Sequence, residues 1–173
     1  MPESVWLLPL KDVDDDARAV KLGEIAELDV TASQRRFVDD PLRMALAGLA
    51  EAGRHPFAID SNGLAVGVLT LQAGAARLAG WPDSDSAWLL RGFAIDRRRQ
   101  GRGLGQLAAA AAVEAAAKLT AKHAGGETGV VLSVNEANPA GLAAYRKAGF
   151  TDHGQYLGGS SGPQRIMFRA FTG

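Results

Sequence analysis

Residues 93–106 read FAIDRRRQGRGLGQ, and the rest of the chain can be placed around them. The first three residues end an apolar run that is typical of a β-strand. Gly101, Gly103 and Gly105 follow, and glycine permits positive φ angles and a close approach of the backbone to a ligand. The alanine-rich run from Leu104 predicts a helix, whose first N–H groups point into the turn. The stretch therefore predicts a strand, turn and helix that bind phosphate.

Three kinds of glycine loop compete for this stretch, and their spacings differ. A Walker loop ends in Gly-Lys-Ser/Thr, whereas here Gln106 follows Gly105. The dinucleotide fingerprint spaces its glycines G-x-G-x-x-G, whereas here they run G-x-G-x-G. The pattern Gln/Arg-x-x-Gly-x-Gly/Ala fits Gln100 to Gly105 at every fixed position. It resembles the acetyl-CoA loop of the GNAT superfamily of N-acetyltransferases. The alternative is a tight strand-to-helix turn with solvated arginines.

A second segment strengthens this resemblance. The β-branched run from Val130 to Val134 predicts a strand. Asn138 then supplies an N-cap and Pro139 the first helical position, where a missing N–H costs nothing. Tyr145 lies seven residues after Asn138, close to two helical turns, so both side chains share a face. The pattern of Asn138, Tyr145 and the following Lys-x-Gly-Phe resembles the second half of the same superfamily.

Composition limits the other classes of function. The chain has 173 residues, no cysteine and zero formal net charge. This length suits one domain over residues 1–173, and the neutral charge argues against nucleic acid as a partner. Without cysteine there is no disulfide, thiolate metal site or cysteine nucleophile. The histidines are scattered, so no metal is expected. No run approaches a membrane span of ~20 apolar residues, and we expect a cytoplasmic protein.

The order of predicted elements is β-α-α-β-β-β-α-β-α-β-β. It predicts an α/β (α+β) protein with a mixed sheet and helices on both faces. The resemblance implies the same order: a GNAT-like, largely antiparallel sheet of six to seven strands. In that fold the strands ending at Ile95 and Val134 are parallel and splay apart, and the cofactor arm lies between them.

The resemblance also implies roles for individual residues. Acetyl-CoA is the expected co-substrate, and the turn would bind its diphosphate through Gly101, Arg102, Gly103, Leu104, Gly105 and Gln106. The main chain of Phe93, Ala94 and Ile95 would pair with the pantetheine arm, as an added strand does. Asn138 would bind this arm, cap its own helix, or do both. Tyr145 would donate a proton to the departing thiolate, since a phenol of pKa ~10 is protonated at neutral pH.

The general base is not visible in the sequence. Some members of the family place a glutamate on the strand before Asn138. Here Val131, Ser133 and Asn135 occupy that run, and Glu136 is the first acid after it. A water chain or an acid from the N-terminal helices would have to take the proton.

The N-terminal half resembles one subgroup, the bacterial spermine/spermidine-type acetyltransferases, through segments such as Pro56-Phe57-Ala58-Ile59. The resemblance implies a polyamine or small diamine as acceptor, and such a site needs carboxylates. The candidates are Glu24, Glu27, Asp29, Asp83 and Asp85. By the same resemblance, Gln34 and Phe37 lie near the acceptor entrance, and Trp88 either walls the groove or is a buried strand residue.

Other functions remain open at this point. The acceptor could be a protein N-terminus, a lysine or an amino-sugar antibiotic instead of a polyamine. A non-catalytic acyl-CoA sensor would use the same cleft. The resemblance further suggests a small-molecule amine as partner, and a homodimer.

Overall fold

A computed structural model describes residues 3–30, 39–159 and 161–172. Within these ranges the chain forms one seven-stranded sheet. Its strands are β1 (Trp6–Pro9), β2 (Arg54–Ser61), β3 (Leu64–Gln72), β4 (Trp88–Ile95), β5 (Gly129–Asn135), β6 (Thr151–Tyr156) and β7 (Gln164–Ala170).

Most of the helices begin at N-cap residues that can be identified in the sequence. They are α1 (Asp15–Ala26), α2 (Pro41–Ala50), α3 (Leu104–His123) and α4 (Pro139–Lys147). The side chains of Asp14, Asp40 and Asn138 each accept a hydrogen bond from an N–H in the first turn of the helix that follows. α3 differs, because its N-cap is Gly103, in the left-handed region with φ +76°, and none of the described side chains caps it.

The strand order is β1-β2-β3-β4-β5-β7-β6. Neighbouring strands are antiparallel except β4 and β5, which are parallel. That parallel pair is short, with Trp88 opposite Val130 and Leu89 opposite Val131. Beyond these residues the two strands separate. The predicted GNAT-like mixed fold with a splayed parallel pair is thus confirmed.

Helices cover both faces of the sheet. α1 and α2 lie on one face, over a core that includes Ile25, Ala45 and Val68. α3 and α4 lie on the other, over Leu69, Leu90 and other large apolar side chains. The buried stripe of α3 is mostly alanine, and these small side chains let the helix lie close to the sheet. The stripe consists of Leu104, Ala108, Ala109, Ala112, Val113 and Ala116.

Two local features lie between consecutive strands. A hairpin turn joins β2 to β3, with positive φ at Asn62 and Gly63. The segment between β3 and β4 contains a short 3-10 turn, Ala76–Ala79. Among the described residues, no helix is both long and apolar enough to cross a bilayer.

Candidate active site

A cavity of about 580 Å³ opens where β4 and β5 separate. Its walls come from both strands, from α2 and from α4. On the strands the lining residues include Arg91, Gly92, Phe93, Leu132, Ser133, Val134 and Asn135. The splayed pair thus creates a cleft in the middle of the sheet, between residues that are distant in sequence.

A bulge in β4 shapes this cleft. Arg91 lies opposite Thr70 and Ala94 opposite Val68, so β4 advances three residues while β3 advances two. Gly92 sits in the bulge with φ +59°. This left-handed conformation favours glycine, and the bulge turns β4 away from β5 at the level where the cleft begins.

The register of β4 determines which main-chain groups face the gap. Opposed residues of an antiparallel pair alternate between exchanging hydrogen bonds with each other and turning away. Asp96 donates its N–H to Val66 O at 2.8 Å. Ala94, two residues earlier, therefore also turns its main chain toward β3. Phe93 and Ile95 turn theirs toward the gap, where β5 has moved out of reach.

The glycine turn follows at the end of β4. Gly101 and Gly103 have φ +81° and +76°, and a Cβ added to either would meet no atom within 4 Å. The first N–H groups of α3, on Leu104, Gly105 and Gln106, have no acceptor within the helix, and no side chain caps this end. Open space, free donors and the positive end of the helix dipole together suit a phosphate group.

Ion pairs bind the turn to the rest of the protein. Arg97 contacts Asp29 at 2.5 Å and Arg98 contacts Asp96 at 2.6 Å. Arg102 lies 3.6 Å from Glu3. The hydrogen bonds from Arg98 lower the pKa of the Asp96 carboxyl, against the opposing effect of burial. Three of the four arginines near the glycines therefore fix the turn as well as adding positive charge.

Tyr145 lies on α4 with its ring at the cleft. It packs edge-on against Phe93 and Phe150, with ring centroids 5.9 Å apart in both cases. Burial raises the pKa of the Tyr145 phenol well above its ordinary value. The hydroxyl is therefore protonated at neutral pH and is placed beside the part of β4 whose main chain faces the gap.

Asn138 lines the same cavity from the start of α4. Its side-chain oxygen accepts a hydrogen bond from Gly141 N at 3.1 Å. The amide nitrogen of the same side chain is a separate donor. Capping the helix and donating to a ligand are thus compatible roles for this residue.

Comparisons with known proteins agree with this geometry. The family model described as "Acetyltransferase (GNAT) family" matches residues 22–150, which is most of the chain. The protein belongs to the GNAT acetyltransferase family. Its members are acetyltransferases, so this chain is classed as an enzyme of that kind. No curated protein sequence is significantly similar to it.

Solved structures of several GNAT enzymes share the fold. The aminoglycoside acetyltransferase AAC(6')-Ib with coenzyme A and kanamycin has a TM-score of 0.65 at 15% identity, covering 97% of this chain and 94% of that one. Spermidine N-acetyltransferase from Vibrio cholerae with CoA and spermine scores 0.66 at 13% identity, covering 97% and 96%. RimL, a ribosomal L7/L12 α-N-protein acetyltransferase with coenzyme A, scores 0.64 at 17%, covering 97% and 94%. At these identities the similarity establishes the fold alone.

Of the acceptor residues expected from the sequence, those that the structure describes do not line the cleft of this GNAT protein. Glu24 pairs with Lys21 at 2.9 Å and accepts the N–H of Ala65. The main-chain oxygen of Glu27 accepts a hydrogen bond from Arg98 at 3.1 Å. Trp88 is a core residue, 2% exposed, and donates to Thr120 Oγ1 at 2.7 Å. This burial fits the second of the two alternatives left open by the sequence, a buried strand residue.

Other expected acceptor residues also lie elsewhere. Gln34 and Phe37 fall outside the described residues. Asp29 is bound to Arg97, and Asp83 and Asp85 lie in the loop before β4, away from the cavity lining. Glu136, the first acid after β5, faces Arg165 at 3.5 Å and is not at the cleft either.

The charged groups that do line the cleft were missed from the sequence. They are Asp39, Arg43, Arg54 and Arg91. Arg91 carried a usable signal, because it interrupts the apolar strand WLLRGFAI. Asp39, Arg43 and Arg54 gave no such signal, because the sequence around them does not distinguish them from solvated surface charges.

Proposed function

We propose that this protein transfers the acetyl group of acetyl-CoA directly to a primary amine, with Tyr145 as the proton donor. The observation that carries the proposal is the opened strand pair. Main-chain groups of Phe93 and Ile95 face the gap beside the phenol of Tyr145, and the glycine turn follows immediately. Solved structures of the same fold, as described above, contain CoA together with an aminoglycoside or spermine.

The chain's own groups suit acetyl-CoA along its whole length. The diphosphate would lie against the N–H groups of residues 101–106, where the structure leaves open space. The pantetheine arm would pair with Phe93 and Ile95 in the manner of an added strand. Ala94 would support this edge only indirectly, because its main chain turns toward β3. The amide nitrogen of Asn138 would donate to the arm from the opposite wall.

The chemistry then needs few groups. An N–H of β4 facing the gap polarises the thioester carbonyl, as an oxyanion hole does. The neutral amine attacks the carbonyl carbon, the C–N bond forms, and the C–S bond breaks. Tyr145 gives its proton to the sulfur that leaves. Its raised pKa keeps that proton in place until a thiolate, of pKa ~8.5, develops beside it. The proton that the nitrogen loses as the amide forms returns to the Tyr145 phenolate, directly or through water.

The amine must lose a proton, since a free amine of pKa ~10.4 arrives charged. Of the described residues lining the cleft, Asp39 alone carries a carboxylate. It lies just before α2 and accepts the N–H of Asp40 at 2.8 Å. Asp39 is thus our candidate for receiving the proton, directly or through water.

The acceptor is left at the level of a primary amine in this proposal. The resemblance to spermine/spermidine-type enzymes predicts a polyamine or diamine, but the carboxylates expected to bind it lie outside the cleft. A protein N-terminus, a lysine and an amino sugar stay alternatives, as does an acyl-CoA sensor without turnover. The homodimer and the cytoplasmic location also stay predictions.

A thiol-release assay with acetyl-CoA and a panel of amines tests the proposal. We expect turnover on at least one amine and micromolar-range binding of CoA by calorimetry. Binding of CoA without turnover on any amine would favour the sensor. Failure to bind CoA would remove the proposal altogether.

A further inference from the structure

The side of the cleft that faces α2 is rich in arginine. Arg43 comes from α2, Arg54 from the start of β2 and Arg91 from the middle of β4. Only one carboxylate, Asp39, lines the cavity among the described residues. This balance of charge is the opposite of what a polyamine would need.

Two of the three guanidinium groups have a carboxylate partner. Arg43 lies 3.5 Å from Asp39, and Arg54 lies 2.9 Å from Glu51. Arg91 instead donates to the neutral side chain of Gln72, at 2.9 Å. In the part of the chain that the structure describes, no carboxylate lies within 4.0 Å of it.

The surroundings of Arg91 make the lack of a carboxylate partner more costly. Burial and the nearby charge of Arg54 lower the pKa of the Arg91 guanidinium. The more distant charge of Glu51 acts in the opposite direction. A half-buried cation whose hydrogen-bond partner is neutral carries a desolvation cost, and a bound anion relieves that cost. Thr70 lies opposite Arg91 in the sheet and also lines the cavity. Its hydroxyl is a second donor available to the same anion.

Arg91 is also close to the expected reaction point. It precedes Phe93 by two residues, and because the bulge at Gly92 shortens this segment, their Cα atoms lie closer than the roughly 7 Å of an extended strand. A guanidinium in this place can bind one end of a small molecule whose amine reaches the carbonyl held at Phe93. The distance suits a compact acceptor in which a few bonds separate the amine from the anionic group.

We propose that the acceptor is a small amine that carries a carboxylate, such as an amino acid, and that Arg91 binds this carboxylate. The inference rests on the proposed acetyl transfer and specifies its substrate class. Arginine suits the role because its planar fork matches a carboxylate with two parallel hydrogen bonds. The same guanidinium would repel the ammonium groups of a polyamine.

Matched acceptor pairs provide the test. The panel compares amino acids with their α-carboxamides, which keep the amine and the size but lose the charge, and includes spermidine and kanamycin. We expect the free acids to have kcat/KM values at least 10-fold above those of their amides. Arg91→Gln should raise KM for the acids by about 10- to 100-fold, the usual effect of losing a charge-assisted hydrogen bond. It should leave KM for the amides and for acetyl-CoA nearly unchanged.

Two further variants serve as references. Arg91→Lys keeps the charge but not the fork, and should fall between the wild type and Arg91→Gln. Arg77→Gln removes an arginine in the nearby 3-10 turn that does not line the cleft, and should behave as the wild type. Thermal melts and CoA calorimetry on each variant show whether it is folded and binds the co-substrate.

The outcomes separate the two proposals. A preference of the wild type for spermidine, kanamycin or the amides overturns the inference and leaves acetyl transfer intact. Equal losses on acids and amides in Arg91→Gln also overturn it, because Arg91 would then act on the fold and not on the carboxylate. CoA binding without turnover of any acid overturns it as well. Loss of CoA binding in the wild type overturns the proposed function itself.

Discussion

At the scale of single residues, Tyr145 and Asp96 have different expected roles near the carboxyl-terminal end of β4, where Tyr145 packs on Phe93 and Asp96 follows Ile95. Tyr145 is the proposed proton donor, and burial raises the pKa of its phenol. Asp96 holds the strand end and the start of the glycine turn in one geometry, through hydrogen bonds to the main chain and side chain of Arg98. The first residue is expected to affect turnover, and the second the stability of the turn.

Replacing Tyr145 with phenylalanine should lower kcat by about 100-fold or more, the usual contribution of a positioned general acid. KM for acetyl-CoA should change little, because the ring and its contacts with Phe93 and Phe150 remain. Since the Tyr145 pKa is raised, the wild type should show no loss of activity from phenol ionisation up to about pH 10. Steady-state thiol release over a pH series measures both effects.

The chain has one other tyrosine, Tyr156 on β6, which is a matched control. It lies outside the cleft lining, so Tyr156→Phe should keep wild-type kcat. Full activity in Tyr145→Phe would remove the proton-donor assignment.

Asp96 should make the protein sensitive to acid. Its side chain is 3% exposed, and its pKa is lowered in the folded state by hydrogen bonds from Arg98. The carboxylate therefore stabilises the fold above an unfolded-state pKa of ~3.9, and this stability is lost as pH falls through the lower folded-state pKa. Asp96→Asn should cost about 1 kcal/mol at pH 7, since Arg98 is solvent-exposed and the pair is partly screened.

The difference between the wild type and Asp96→Asn should shrink as the pH falls toward 3, in denaturant melts at a series of pH values. Asp85→Asn, in the exposed loop before β4, is the control and should melt as the wild type does. A difference that stays constant with pH would show that the charge of Asp96 is not what stabilises the turn.

At the scale of elements, the junction of β4 and α3 combines a bulged strand, a left-handed turn and an uncapped helix. Among the described residues, β4 turns main-chain groups of Phe93 and Ile95 toward the gap, and the first N–H groups of α3 have no acceptor within the helix. The Ile95 oxygen is the exception, because it accepts a hydrogen bond from the Gln100 side chain at 3.3 Å. Such groups are usually satisfied in stable folds, so a site that leaves several of them open in one place is suited to a ligand. The glycines are the residues that make this junction possible.

Gly103→Ala should therefore weaken CoA binding by at least 10-fold in calorimetry. Alanine at φ +76° costs roughly 1 kcal/mol of backbone strain, and its methyl group would fill the space expected for phosphate. Gly63→Ala is a matched control, because Gly63 has φ +81° and an equally open surrounding in a distant hairpin. Both variants should lose similar stability, but only Gly103→Ala should lose affinity for CoA. Similar CoA affinity in the two variants would contradict a phosphate site at the turn.

At the scale of the whole molecule, the short pairing of β4 with β5 is the seam that joins strands β1–β4 to strands β5–β7. β4 and β5 pair at only two positions, and α3 lies across both strands. A ligand that enters the gap and pairs with β4 would extend this seam. The predicted single domain over residues 1–173 should unfold in one cooperative transition, and CoA should raise its midpoint.

The size of the shift follows from mass action. CoA at 100 times its Kd should stabilise the protein by about 2.7 kcal/mol, or roughly 5–11 °C for a chain of this size. Differential scanning calorimetry with and without CoA measures it. Gly103→Ala at the same CoA concentration should show a clearly smaller shift, whereas Gly63→Ala should match the wild type. Two separate transitions, with CoA shifting neither, would contradict both the single domain and the site.

The amino-acid sequence was sufficient for the order of the elements, the glycine turn, the Asn138 cap and the placing of Tyr145 two turns later. All of these depend on neighbours within a few residues, where capping, backbone freedom and periodicity act. Burial is a different matter. The sequence left open whether Trp88 walls a groove or lies in the core. The buried face of α3 could not be assigned either, because in a run of alanines no face is more apolar than another.

Only the tertiary structure decided which charges meet at the cleft. Arg43, Arg54 and Arg91 come from three elements that the sheet brings together. Glu24 instead pairs with Lys21, and Glu27 lies outside the cleft lining. Local sequence does not predict which distant residues line one cavity, because this depends on strand order, on the bulge at Gly92 and on the separation of β4 from β5. The local pattern thus determined the place where acetyl-CoA is proposed to bind. The long-range packing determined the charge that an acceptor would meet.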